Sequence, residues 1–197
     1  MFSFIGSWDN FTRMKHAILV VALFAVAHLG FARSTSFEQR HQPLIDTSTV
    51  SAASIQDLLN DIMNVTGLHT NFELKAAKVL NIEASISHKK RLILYNPAFI
   101  EWVSRATNDK WGVIALLAHE IGHHLNGHTL KRSGSAPAVE LEADEFAGFV
   151  LRRMGASLQE AQEVMIYIAK TQASATHPAR SDRMEAIEKG WRRAVPA

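Results

Sequence analysis

Residues 119 to 128 read His-Glu-Ile-Gly-His-His-Leu-Asn-Gly-His. His119 and His123 are four apart, so on a helix their imidazoles lie on one face about one turn apart and can converge on one ion. Glu120 lies beside His119 on that surface, where its carboxylate reaches a metal-held water rather than the metal. Zinc in such a site lowers the pKa of its water from 15.7 to roughly 7 and polarises a carbonyl, while the glutamate takes the proton and passes it to a leaving amine. The chemistry this spacing allows is peptide-bond hydrolysis, with Glu120 as general base. The bland alternative is a pair of surface histidines with a salt-bridging glutamate. Apolar Ile114, Leu116 and Leu117 flank the motif and predict burial, and burying these three side chains without partners costs several kcal/mol. A metal removes that cost.

A catalytic zinc takes a third protein ligand and leaves a fourth position to water. His128 is five residues after His123, which on a continuing helix turns it about 140° away; it ligates only if the helix breaks. The metzincin pattern places Gly three and His six residues beyond the second histidine, and Asn126 and Thr129 stand there instead. The other source is the acidic run Glu140-Leu141-Glu142-Ala143-Asp144. A loop over residues 129–136 lets the next helix present Glu140 and Asp144, four apart, to the histidines. Glu140 then ligates, and Asp144 accepts the free ring N–H of a ligand histidine. Glu142 is the rival ligand, and a solvated acidic face is the alternative for the whole run.

The HEIGHHLNGH segment followed by Glu140-x-x-Ala143-Asp144 resembles the gluzincin metallopeptidases that include HtpX and the CAAX prenyl endopeptidases. The resemblance implies a zincin-like domain binding one Zn2+ through His119, His123 and Glu140, with Asp144 in support, and acting on a protein or peptide substrate. Thr176-His177-Pro178 with Arg183 resembles that family's C-terminal H-P…R segment, which folds back near the active site. Residues 91–96 resemble the strand that lines its cleft. The similarity spans about residues 54–194, as a small form without the family's transmembrane helices after the N-terminal segment. His177 is a candidate to bond an oxyanion, to occlude the zinc in a latent enzyme, or merely to cap a helix. Arg183 is a candidate partner for Asp144, or an exposed salt bridge. His124 and His128 read as local hydrogen-bonding groups, and Gly122 as a point of close approach. A zinc-stabilised binding or chaperone-like module on the same scaffold is the non-enzymatic alternative.

Length and composition frame these readings. The 197 residues fit one domain with a real core, and 47% hydrophobic and 20% charged residues are ordinary globular usage. The formal charge is +2 with no basic run interleaved with aromatics, so nucleic acid is not an expected partner. There is no cysteine, so a metal must sit on histidine and carboxylate. Arg13, Lys15 and His16 precede an apolar run over residues 17–27, too short for an ordinary span. Residues 1–32 therefore read as a signal peptide or signal anchor, predicting an exported protein, periplasmic or secreted, or held at the membrane by the uncleaved segment. Residues 33–53 read as a linker and 54–194 as the metallopeptidase domain.

Within 54–194 the apolar spacing predicts a helix opened by Ser54 and stopped at Gly67. A β-hairpin follows over residues 79–87 and 91–95, turning at His-Lys-Lys. If its second strand is an exposed edge beside the zinc, an extended peptide can pair with it. Five helices then follow: one capped by Asn96-Pro97, one capped by Asn108 or Asp109 and reaching Gly127, one from Pro137 to Met154, one opened by the Ser157/Glu160 capping box and running to about Ala173, and a last from His177-Pro178 to about Ala194. The expected class is α+β, mainly helical, with a small antiparallel hairpin or sheet beside the zinc helices.

Overall fold

In a computed structural model of the chain the described residues are 52–130 and 136–194. The signal reading of residues 1–32 and most of the 33–53 linker lie outside them. The order is α1 (Ala52–Thr66), β1 (Glu73–Ala76), β2 (Ile82–Ser87), β3 (Lys90–Tyr95), α2 (Pro97–Thr107), α3 (Trp111–Leu125), a 3-10 turn (His128–Leu130), α4 (Pro137–Arg153), α5 (Leu158–Ile168) and α6 (Arg180–Arg193). This is the expected helix-dominated α+β class. Among the described residues no helix is long and apolar enough to cross a membrane.

The sheet differs from the simple hairpin. β2 and β3 pair antiparallel, with Ala84 opposite Ile93, and His88 and Lys89 make the turn at φ 50° and 63°. Two consecutive residues at positive φ are what a two-residue hairpin turn of the right twist requires. β1 adds to the other side of β3 in parallel, with Leu74 opposite Ile93, so the order is β1-β3-β2 and the sheet is mixed. β3 is therefore the central strand. The edge nearest the helices that carry the motif is β2, and a peptide cannot add to residues 91–95 as expected. Four-residue β1, with its Glu73 ion-paired to Lys75 and Lys90, is too short and too polar to show a period.

α3 is the core element. From Gly112 to His124 every residue is buried, which the continuous apolar run Val113 to Ala118 makes possible. Asp109 accepts hydrogen bonds from the Trp111 and Gly112 N–H groups and so caps its first turn, while Asn108 closes α2 in a left-handed conformation at φ 53°. Asn96 caps α2 by accepting from the Ala98 N–H. Two helix bounds depart from expectation. α5 stops at Ile168 because the Ala169 carbonyl accepts from Arg180 Nε and Nη2, and the Arg180 N–H bonds the Lys170 carbonyl. α6 starts at Arg180, not at His177-Pro178, because the His177 carbonyl accepts from the Ser174 N–H in a turn ahead of the helix. Ser54, expected as a cap, lies inside α1.

α4 and α6 cross closely. A β-carbon at Gly190 would lie 1.8 Å from the Glu145 carbonyl oxygen, and one at Gly148 would lie 2.0 Å from that of Ile187. Only hydrogen fits at either position. The crossing sets α6 one side chain's reach from Asp144.

Candidate metal centre

α3 brings His119 and His123 to its face against α4, with Glu120 beside them on the β2 side, and Gly122 permits the approach. A β-carbon there would stand 3.2 Å from the Ala143 α-carbon and from a ring carbon of Phe146. With a small residue on each side the helices close, and Glu140 in the first turn of α4 meets the two imidazoles. His119 Nε2 and His123 Nε2 are 3.1 Å apart. Glu140 Oε2 lies 3.4 Å from the first and Oε1 3.7 Å from the second. The three ligand atoms fall within 4.8 Å of one another and all three residues are buried, so the group can hold a metal ion.

The donor chemistry fits a cation. Asp144 Oδ1 lies 2.8 Å from His119 Nδ1 and, being a carboxylate, only accepts there, so Nδ1 carries the proton. His119 Nε2 is then the position that faces His123 and Glu140. Two imidazole nitrogens and a carboxylate at such distances repel unless positive charge sits among them. In the metal-free protein that charge is a proton. Burial opposes charge on His119, but the Asp144 carboxylate and hydrogen bonds to Asp144 and Glu140 outweigh it and raise its pKa to about 10. Burial, followed by the charge on His119, pushes His123 down to about 3.

Asp144 is held in turn by Arg183, whose Nε donates to Oδ2 and Nη2 to Oδ1, both at 2.7 Å. Burial by itself would raise the Asp144 pKa, but Arg183 and then His119 hold it below the usual carboxylate range. The reading of Arg183 as an exposed salt bridge does not stand, for the side chain is buried.

Glu120 is buried beside this group and its Oε2 accepts from the Ala84 N–H at 2.6 Å. That N–H leaves β2 on the side away from β3. Burial first, with Glu140 adding, raises the Glu120 pKa to about 7, against the pull of His119 and the Ala84 N–H. The carboxylate therefore titrates near neutrality, which suits a group that must both take and give a proton.

His177 is half-buried in the segment before α6, with its ring Nδ1 2.8 Å from Thr176 Oγ1. It does not cap the helix, since the N-cap is Ala179. Burial lowers its pKa first, and the charges of Arg183 and His119 lower it further while Glu140 opposes them, so it lies within electrostatic reach of the site. Glu142, the rival ligand, points away: its side chain is 62% exposed and bonds His128.

Two contacts were not legible in the sequence as read. One is the Ala84 N–H on Glu120, a backbone group no residue pattern announces. The other is His128. The helix breaks after Leu125, Gly127 takes φ 72°, and the 3-10 turn returns His128 to the site. Its Nδ1 lies 3.0 Å from His123 Nδ1, on the far side of that ring from the ligand position. The helix was expected to end at Gly127, the usual residue for a left-handed helix end, and His128 was read as a local hydrogen-bonding group; what was not legible is that the turn beyond Gly127 pairs it with His123. His124 behaves as expected: its Nε2 lies 2.9 Å from the Leu92 carbonyl, its Nδ1 3.2 Å from Thr129 Oγ1, and its ring stacks on Phe72. It ties α3 to the sheet. Comparisons with protein-family models, with curated proteins and with solved structures give no match to this chain.

Proposed function

We propose that this chain is a gluzincin-type zinc endopeptidase, with one Zn2+ held by His119, His123 and Glu140. The observation that carries the reading is the buried convergence of those three groups beside a buried, otherwise unexplained carboxylate, Glu120. Two imidazoles and one carboxylate suit zinc among the common divalent ions. When bound, zinc lowers the pKa of a coordinated water and polarises the scissile carbonyl. Glu120 takes the proton of the attacking water and returns it to the departing amine, with the Ala84 N–H fixing one oxygen and leaving the other for that exchange. Asp144 and Arg183 keep His119 in the tautomer that ligates. The substrate is an extended peptide, and β2 is the edge beside Glu120 that it would pair with by backbone hydrogen bonds at positions other than Ala84, whose N–H Glu120 holds, giving broad sequence tolerance.

Glu120 also argues against the non-catalytic module, because a purely structural metal site has no use for a buried base. A latent form has one observation in its favour: His177 sits within electrostatic reach of Glu140 and His119. In that form His177→Ala activates the enzyme, whereas loss of activity on the same change fits a role at the oxyanion. Export through residues 1–32 remains part of the proposal and places the enzyme in the periplasm, outside the cell, or anchored at the membrane.

The test is metal content and casein cleavage by the purified chain, before and after a zinc chelator and after zinc is restored. Stoichiometric zinc, with cleavage lost on chelation and regained with zinc, is expected. A chain that binds no zinc, or cleaves equally without it, contradicts the proposal.

A further inference from the structure

Two polar side chains follow one another behind His123. His123 Nδ1 is 3.0 Å from His128 Nδ1, and His128 Nε2 is 2.9 Å from Glu142 Oε2. Both histidines are buried, while the glutamate side chain is 62% exposed at the protein surface. The rings are turned 68° to each other with the two Nδ1 atoms at hydrogen-bond distance, so one nitrogen carries the hydrogen and the other accepts it.

We infer that His128 and Glu142 are positioning residues that fix the tautomer of the ligand His123 from the surface of the protein. The inference rests on the metal-site reading above. A carboxylate only accepts, so the hydrogen of the last contact lies on His128 Nε2. Its Nδ1 is then an acceptor, and the hydrogen between the rings belongs to His123 Nδ1. That leaves the His123 Nε2 lone pair facing His119 and Glu140, as a metal ligand requires. The Asp144–Arg183 pair does the same for His119 from the opposite direction. The two ligand histidines are thus set by unlike devices. One is a fully buried ion pair, and the other is a histidine relay ending on an exposed carboxylate. The exposed end is the one that surface chemistry can alter.

Replacing Glu142 by a group that only donates reverses the chain. With Glu142→Lys, His128 Nε2 becomes the acceptor, its Nδ1 carries hydrogen, and His123 must accept on Nδ1 and carry its hydrogen on Nε2, where the metal would bind. Glu142→Ala admits water, which can accept, and is the milder change. Removing such an outer partner typically weakens metal binding by about 10–100-fold. The experiment measures zinc affinity of the full chain by chelator competition for wild type, Glu142→Ala and Glu142→Lys, together with imidazole 15N shifts that report the tautomers. In the zinc-loaded wild type, hydrogen is expected on His123 Nδ1 and His128 Nε2. The zinc Kd is expected to rise about 10–100-fold in Glu142→Lys and less in Glu142→Ala. Because lysine also changes local charge, the tautomer decides: the metal-free Glu142→Lys protein should carry hydrogen on His128 Nδ1. Zinc bound equally tightly by Glu142→Lys, or a zinc-loaded wild type with hydrogen on His128 Nδ1, overturns the relay and leaves the metal site standing. A wild type that takes up no zinc overturns the metal reading itself, and the relay with it.

Discussion

Arg183 closes on Asp144 with two parallel hydrogen bonds of 2.7 Å, and both side chains are buried, Asp144 completely. The two residues are 39 apart in sequence and come from different helices, α4 and α6. A bidentate pair of this kind is strong only when every remaining polar atom is used. Here the free direction of Asp144 Oδ1 goes to His119, so the ion pair is built to serve a histidine.

Asp144→Asn keeps the shape and removes the charge. It leaves a buried guanidinium without its counter-ion, which typically costs about 3–5 kcal/mol. It also removes the strong acceptor that fixes His119, and zinc affinity should fall by about 10–100-fold. Thermal unfolding and chelator competition measure the two effects. An Asp144→Asn protein as stable and as tight for zinc as wild type would mean that the pair is decorative.

Stability of the metal-free protein should depend on pH through His119. Its pKa is raised from 6.5 to about 10 on folding. The folded state therefore holds a proton that the unfolded chain gives up, and the stability it contributes is full below pH 6.5 and lost as pH rises through about 10. Glu120, raised from 4.5 to about 7, loses stability in the same direction across its own window, while His123, lowered from 6.5 to about 3, gains it between those values. The clean window thus lies above pH 7. The Tm of the metal-free protein should fall from neutral pH toward pH 10, and zinc should remove the fall by taking the proton's place. A metal-free Tm that is flat or rises over that range contradicts the account of the charge at the site.

The hydrogen bond from Ala84 to Glu120 can be removed without changing Glu120. Proline has no N–H and is tolerated on an edge strand where that N–H faces away from the ladder. Ala84→Pro should keep zinc and lower kcat, because Glu120 loses the donor that orients one oxygen. Zinc content and casein turnover test this together. Unchanged kcat would make the contact incidental.

His119 with His123, and Glu140 with Asp144, were legible because a spacing of four is a helical-face argument that holds wherever the helix is straight, and Glu120 by its place beside His119. Arg183 was legible only as one of two options, since its partner is set by the α4 and α6 crossing at Gly148 and Gly190 and not by any local pattern. His128 was read as a local hydrogen-bonding group and is one, but its partner His123 was hidden, because on a continuing helix the two turn apart and only the break at Gly127 brings them together. β1 escaped notice because a four-residue strand with alternating charge gains its order from pairing with β3. α5 was read too long because its end is fixed by Arg180, from another helix.

The most direct measurement of the central claim compares Glu120→Gln with wild type for zinc content and for casein cleavage in the same preparations. Glutamine keeps the size of the side chain and can still accept from the Ala84 N–H, but it cannot take a proton. The account predicts stoichiometric zinc in both proteins and a loss of about 100- to 10,000-fold in cleavage rate for Glu120→Gln. Cleavage by Glu120→Gln at the wild-type rate would contradict it.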